Sequence, residues 1–164
     1  MSPGEITPYL LGPGDGEALW VRGNRFTFKA SGRDVGGGFA AVETLLHPVA
    51  AAPAHVHEGT DEALYVIEGE IVVEVGEERF LGVPGSFGFL PRGIPHRDLP
   101  QEPGPVRVLW FLSPAGFEDF WRDIGTPVVD GEEPPPPTPP DPVRMAELGR
   151  RYRTDFSVTP SPSS

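Results

Sequence analysis

The sequence contains no cysteine among its 164 residues. The absence of thiols excludes disulfide bonds, thiolate metal sites and cysteine nucleophiles together, and nothing in the chain requires an oxidising compartment. Cationic residues are also scarce, because 13 Lys and Arg stand against 24 Asp and Glu, for a formal net charge of −11. Without a basic stripe to neutralise phosphates, a nucleic-acid partner is not expected.

Long apolar runs are absent as well, so no segment is expected to span a bilayer. The first residues, "MSPGEITPYLLGPGDGEALW", lack a basic stretch followed by an apolar core, and they do not predict a signal peptide. The acidic balance also disfavours anionic membrane surfaces. We therefore expect a cytoplasmic location and no membrane partner.

Glycine and proline are abundant, with 21 and 22 residues. They separate short strand-like runs between residues 18 and 113, such as "ALWVR", "FAAVETLL", "EIVVEV" and "VRVLWFL". Short strands at this spacing are typical of an all-β sandwich or small barrel. The length fits one domain, preceded by a Gly/Pro-rich N-terminal arm over residues 1–17.

The pattern changes after residue 113. Apolar residues with helical spacing predict a helix over 114–125 that packs on the barrel through Phe117, Phe120, Trp121 and Ile124. Residues 126–142 are rich in proline and predict an extended strap. Asp141 is a good N-cap for a short C-terminal helix over 143–156, and 157–164 are predicted to be disordered.

The chain has four histidines, and three of them lie in a suggestive arrangement. His55 and His57 are one residue apart, so on a strand they share a face. Glu62 begins the next strand, and His96 follows a Pro/Gly turn. Three imidazoles and one carboxylate suit Fe, Mn, Co, Ni or Zn and leave open coordination positions. Taken alone, an exposed His-x-His and a solvated acidic loop explain the same residues. His47 is assigned a structural role.

Two motifs extend this cluster, and with them the sequence resembles the cupin superfamily. The first motif contains His55, His57, Glu62 and Gly69, and the second contains Gly85, Pro91, Gly93 and His96, all at the family's spacing. The 15 residues between Gly69 and Gly85 match small microbial cupins. Val49 and Pro100 replace a glycine and an asparagine of the motifs, and neither position holds a metal ligand.

Over nearly the whole chain, the sequence is similar to bacterial single-domain cupins of the quercetin 2,3-dioxygenase-like type. This resemblance implies a double-stranded β-helix, or jelly-roll barrel, with short C-terminal helices. It implies that His55, His57, Glu62 and His96 bind one divalent transition metal, with Glu62 as the catalytic base. The implied reaction is oxygen-dependent opening of the heterocyclic ring of a flavonol, with release of carbon monoxide, so the implied partners are a small-molecule substrate and O2.

A flavonol requires an apolar pocket, and strand parity suggests its lining. Leu64 and Val66 share parity with Glu62 and are predicted to face inward. Phe87 and Phe89 share a face of the strand before His96, and the last strand offers its own aromatic side chain, Phe111. A plain barrel core explains these five residues equally well.

Two further functions fit the same residues. One is a non-oxidative metal enzyme, that is, a cyclase, isomerase or dehydratase acting on a polyketide or sugar intermediate, with Glu62 still the base. The other is a small-molecule-binding cupin without turnover, since one barrel supports many chemistries. A homodimer formed through an exposed edge strand is compatible with either.

Overall fold

The structure is a computed structural model that describes residues 6–158. In that range the chain forms twelve strands and two α-helices. The strands are β1 (Glu17–Val21), β2 (Asn24–Ala30), β3 (Ala40–Leu46), β4 (Val56–His57), β5 (Asp61–Glu68), β6 (Ile71–Val75), β7 (Glu78–Gly82), β8 (Phe87–Leu90), β9 (His96–Pro100), β10 (Val106–Ser113), β11 (Thr126–Pro127) and β12 (Thr154–Asp155). The helices are α1 (Glu118–Ile124) and α2 (Pro142–Arg151).

The strands form antiparallel sheets around one main core. The larger sheet has the order β11-β1-β2-β3-β10-β5-β8, a smaller one has the order β7-β6-β9, and β4 pairs with β12. Strand β10 shows why the sheets pack together: its alternate residues Val106, Val108, Trp110 and Leu112 are buried, whereas those between them are more exposed. This period of two places one face of the strand in the core. The predicted all-β jelly roll is confirmed.

The two helices close one end of the barrel. Phe117 and Phe120, at the start of α1, pack with Met145 of α2 in a second apolar cluster. Asp141 caps α2, because its carboxylate accepts hydrogen bonds from the backbone N–H groups of Val143 (2.9 Å) and Arg144 (3.2 Å).

The helix predicted over 143–156 ends earlier than expected. Helix α2 stops at Arg151, and Thr154 and Asp155 form strand β12 instead. Two causes end the helix, one in the local backbone and one in the pairing with another strand. Arg153 adopts a left-handed backbone with φ 53°, which turns the chain out of the helix, and β4 then offers a strand edge on which Thr154 pairs with His57.

The proline-rich strap runs along the first hairpin. Val128 N–H donates to Ala18 O at 3.0 Å, and Thr138 N–H donates to Arg22 O at 2.9 Å. Gly23 permits this approach, because a Cβ at that position would lie 2.5 Å from Cα of Pro137.

The ends of the chain are described only in part. Residues 1–5 of the predicted arm and 159–164 of the tail predicted to be disordered lie outside the described residues. Before that point, Ser157 N–H donates to the Asp155 carboxylate at 2.8 Å. Neither α1 nor α2 is long and apolar enough to cross a membrane.

Candidate metal centre

The structure brings His55, His57, Glu62 and His96 together inside the barrel. One ligand atom from each residue lies within 4.8 Å of the others, and all four side chains are buried. The imidazole rings of His55 and His96 are 4.5 Å apart between centroids. These are the four residues predicted to be metal ligands, and they form a group that could hold a metal ion.

Backbone pairing aligns the two motifs that carry these residues. His55 and His96 exchange both backbone hydrogen bonds, at 2.9 and 2.8 Å. The turn before His96 is fixed in two further places. Gly93 N–H donates to His57 O at 2.8 Å, and the Arg92 guanidinium donates to both carboxylate oxygens of Asp61, beside Glu62, at 3.0 and 2.7 Å. The loop and the start of β5 therefore hold the histidines and Glu62 in register.

The hydrogen-bond partners of the three imidazoles set their tautomers. Nδ1 of His55 lies 2.9 Å from Pro53 O, and Nδ1 of His96 lies 3.1 Å from Ile94 O. A carbonyl only accepts, so each Nδ1 carries the proton. Nδ1 of His57 lies 2.8 Å from Thr154 Oγ1, whose hydroxyl donates to Tyr152 O at 3.2 Å. Thr154 therefore accepts from His57, and each Nε2 keeps its lone pair.

The Nε2 atoms converge on the Glu62 carboxylate. His57 Nε2 lies 3.3 Å from Oε1, and His96 Nε2 lies 3.0 Å from Oε2. Both Nε2 atoms are buried without a hydrogen-bond partner. Lone pairs that face a carboxylate in a buried site are satisfied when a proton or a metal ion lies between them. A divalent transition metal satisfies all of these acceptors at once, so the residues present fit the predicted cofactor.

The electrostatics favour a neutral His55 and an ionised Glu62, and they favour positive charge at His96. Burial and the neighbouring imidazoles lower the pKa of His55 to about 3. Burial alone would raise the pKa of Glu62, but contacts with His57 and His96 hold this pKa well below its ordinary value. Burial opposes the charged form of His96, yet the Glu62 carboxylate, 3.0 Å from its Nε2, outweighs burial and raises the His96 pKa. The cluster thus favours positive charge beside Glu62.

A cavity of about 60 Å³ lies beside the cluster. Its polar wall contains Arg22, Asn24 and Asp98, together with His55 and Glu62. Burial and the charge of Glu62 raise the pKa of Asp98 to about 6. The rest of the wall is mainly apolar and aromatic, and it includes Phe26, Leu46, Trp110, Phe117, Phe120, Trp121, Ile124, Met145 and Phe156.

The side chains predicted to line the pocket do not line this cavity. Leu64 and Val66 do face inward, but they belong to the main core. Phe87 and Phe89 are 67% and 59% exposed, because they lie on the outer face of edge strand β8. Phe111 lies on the opposite face of β10 from Trp110, which does line the cavity.

Several residues at the site were not predicted. Asp98 could have been found, since it shares strand parity with His96. Arg22 is in a hairpin turn. Thr154 and Phe156 come from the C-terminal segment, and no sequence spacing relates them to the motifs. Phe156 packs on the His55 ring, with centroids 5.3 Å apart.

Comparison with known proteins identifies the family. A cupin domain model matches residues 42–112. Quercetin 2,3-dioxygenase of Bacillus subtilis is 31% identical over 133 residues, which cover 81% of this chain and 39% of that protein. The chain thus spans well under half of that curated relative.

Solved structures extend the likeness to the fold. An RmlC-like cupin from Shewanella frigidimarina has a TM-score of 0.57 at 21% identity, over 71% of this chain and 99% of that one. The polyketide cyclase RemF from Streptomyces resistomycificus has a TM-score of 0.56 at 21% identity, over 65% and 80% of the two chains. With its two motifs, its jelly roll and its four converging side chains, this chain belongs to the cupin superfamily.

Proposed function

We propose that the protein is a metal-dependent cupin dioxygenase that opens a ring of a flavonol or a related enolisable aromatic compound. The observation that carries the proposal is the convergence of imidazole Nε2 atoms on the buried Glu62 carboxylate. The 31% identity with a quercetin 2,3-dioxygenase supports the choice of reaction.

The residues of the cluster have two proposed roles: some hold a metal, and one accepts a proton. His55, His57 and His96 would hold the metal through Nε2. When bound, a divalent metal acts as a Lewis acid that makes a substrate hydroxyl more acidic. Glu62 belongs to the same cluster. Its carboxylate accepts the proton of the substrate hydroxyl, so that the substrate becomes an enolate. The buried apolar walls keep water from the ionised substrate.

The cavity walls suit a planar aromatic molecule, but the closed cavity is small. Its volume of about 60 Å³ compares with roughly 300 Å³ or more for sites that hold drug-sized ligands. Met145 and Phe156 line part of the cavity, and both belong to the C-terminal segment. This segment is attached by the two-residue pairing of β12 with β4, by the packing of Met145 against Phe117 and Phe120, and by the Tyr152–Asp123 hydrogen bond. We infer that a flavonol enters when this segment moves outward.

Oxygen uptake with quercetin by protein reconstituted with Fe, Mn, Co, Ni or Zn tests the proposal. Glu62→Gln should keep the metal and reduce turnover by about 10²–10⁴-fold, since it removes the proton acceptor. Glu58→Gln is the matched control, because Glu58 is an exposed glutamate of the same loop and should leave turnover unchanged.

Other outcomes of these assays would support a different function or a different role for Glu62. Full activity of Glu62→Gln on quercetin would show that Glu62 is not the base. Substrate consumption without oxygen uptake would favour a cyclase, isomerase or dehydratase. Metal and ligand binding without any turnover would indicate a binding protein.

A further inference from the structure

Arg22 occupies an unusual place in the first hairpin. It is the first residue of the two-residue turn between β1 and β2, and its backbone is left-handed with φ 54°. Such turns favour Asn or Gly, because positive φ strains the backbone of most other residues. Gly23 at the second turn position, with φ 86°, follows the preference. Arg22 departs from it, so the structure tolerates a strained arginine here.

The guanidinium of Arg22 is only partly used by the protein. Its Nη1 donates to Ala51 O at 3.4 Å and to Thr138 O at 3.5 Å, which are long hydrogen bonds. Its Nε is buried and has no hydrogen-bond partner. The side chain lines the same cavity as His55 and Glu62. A cationic donor thus faces the site with hydrogen-bonding capacity to spare.

Asp98 is the matching acceptor. It is buried on β9, two residues after His96, and it lines the cavity with Arg22. Among the ion pairs of residues 6–158, none within 4.0 Å contains Arg22 or Asp98. The neighbouring Asn24 is already satisfied, because its amide donates to Ala50 O at 3.0 Å and accepts from His47 N–H at 2.8 Å.

We propose that Arg22 and Asp98 together bind one hydroxyl group of the substrate, distinct from the oxygen that meets the metal centre. A hydroxyl has one proton and two lone pairs. It can accept a hydrogen bond from the guanidinium and donate one to the carboxylate, which no purely donating or accepting group can do. This inference rests on the proposed function, which supplies an aromatic substrate with one hydroxyl at the metal centre. It narrows the class of substrates to polyphenols that carry a second hydroxyl.

The charges in the cavity favour a hydroxyl over a second anion. Arg22 and Asp98 cancel each other. An anionic group between these two side chains would add an uncompensated charge beside the Asp98 carboxylate in a buried site, and that is costly. The neutral hydroxyl needs only the donor and the acceptor that the walls provide.

Binding of three flavonols to zinc-loaded protein without oxygen tests the inference. The probes are 3-hydroxyflavone, 3,7-dihydroxyflavone and 3,4′-dihydroxyflavone. Their binding is measured by the quenching of the fluorescence of Trp110 and Trp121, which line the cavity. We expect one dihydroxyflavone to bind at least about 10-fold more tightly than 3-hydroxyflavone, because the site's polar groups are left unpaired by the analogue. Arg22→Met should remove that gain, so that the dihydroxyflavone and 3-hydroxyflavone bind with affinities within about 2-fold of each other.

Control variants distinguish a loss of hydroxyl recognition from a loss of folding. Arg25→Met alters an arginine of the same hairpin that also has an unpartnered Nε but does not line the cavity, and it should keep the gain. Asp98→Asn should reduce the gain independently of Arg22. Zinc content and circular dichroism equal to those of the parent protein show that each variant is folded.

The outcomes distinguish this inference from the proposed function. No gain for either dihydroxyflavone, or a gain that survives both Arg22→Met and Asp98→Asn, would overturn the inference even if oxygen uptake is observed. A gain that both variants abolish supports the inference even if no oxygen is consumed, in which case only the assignment as a dioxygenase fails.

Discussion

The family-matched barrel and the segments that flank it contribute differently to the site. Residues 42–112, which match the cupin domain, contain all four candidate metal ligands. The hairpin β1–β2, helix α1 and the C-terminal segment contribute much of the cavity wall, including Arg22, Phe117 and Phe156. The barrel thus carries the candidate metal ligands, whereas the flanks supply much of the wall of the cavity beside them.

The same division applies to the groups that orient the ligands. His55 and His96 donate through Nδ1 to carbonyls only two residues earlier in the chain, Pro53 and Ile94. His57 instead donates to Thr154, 97 residues away. One of the three imidazoles therefore depends on a flank for its orientation, and we expect metal affinity to depend on the C-terminal segment through that hydrogen bond.

The largest expected effect comes from removing a ligand of the barrel. His57→Ala should abolish stoichiometric metal binding and turnover together, because the remaining ligands no longer complete the site. His47→Ala is the control, since His47 lies outside the cluster and only its backbone N–H bonds to Asn24. Elemental mass spectrometry and oxygen uptake measure both properties. A His57→Ala protein with parent-like metal content would show that this imidazole is not a ligand.

A smaller effect is expected from the flank that orients the same imidazole. Thr154→Val keeps the shape of the side chain but removes the acceptor of His57 Nδ1–H, and we expect metal affinity to fall by about 10–100-fold. Thr154→Ser restores a hydroxyl and should retain most of the affinity. Competition with a chelator gives the affinities. Equal metal affinities for Thr154→Val and the parent protein would show that metal binding is not coupled to the C-terminal segment through Thr154.

The smallest effect concerns the attachment of the flank. Tyr152 hydroxyl donates to the Asp123 carboxylate at 2.5 Å and so ties the C-terminal segment to α1. Tyr152→Phe should lower the free energy of unfolding by about 1 kcal/mol, the usual net value of one hydrogen bond. Urea unfolding measures it, with Tyr65→Phe as the control at an exposed tyrosine. A change within about 0.3 kcal/mol for Tyr152→Phe would show that this bond does not hold the segment.

The sequence predicted the clustering of the four side chains better than the cavity wall beside them, for physical reasons. The period of two along a strand places His55 and His57 on one face, and the motif spacing brings Glu62 and His96 to them. The same period could not tell which face of β8 points to the core, and Phe87 and Phe89 lie on its exposed face and do not line the cavity beside the cluster. The contributions of Arg22 and Thr154 depend on tertiary packing of a turn and a distant strand, which no local pattern encodes.

We infer that a buried cation belongs between the imidazoles and Glu62. The most direct test is the metal content of untagged protein by elemental mass spectrometry, beside a variant carrying His55→Ala and His57→Ala. We predict about one first-row transition metal per chain in the parent and none in the variant. No metal in the parent, even after reconstitution with Fe, Mn, Co, Ni and Zn, would contradict the account.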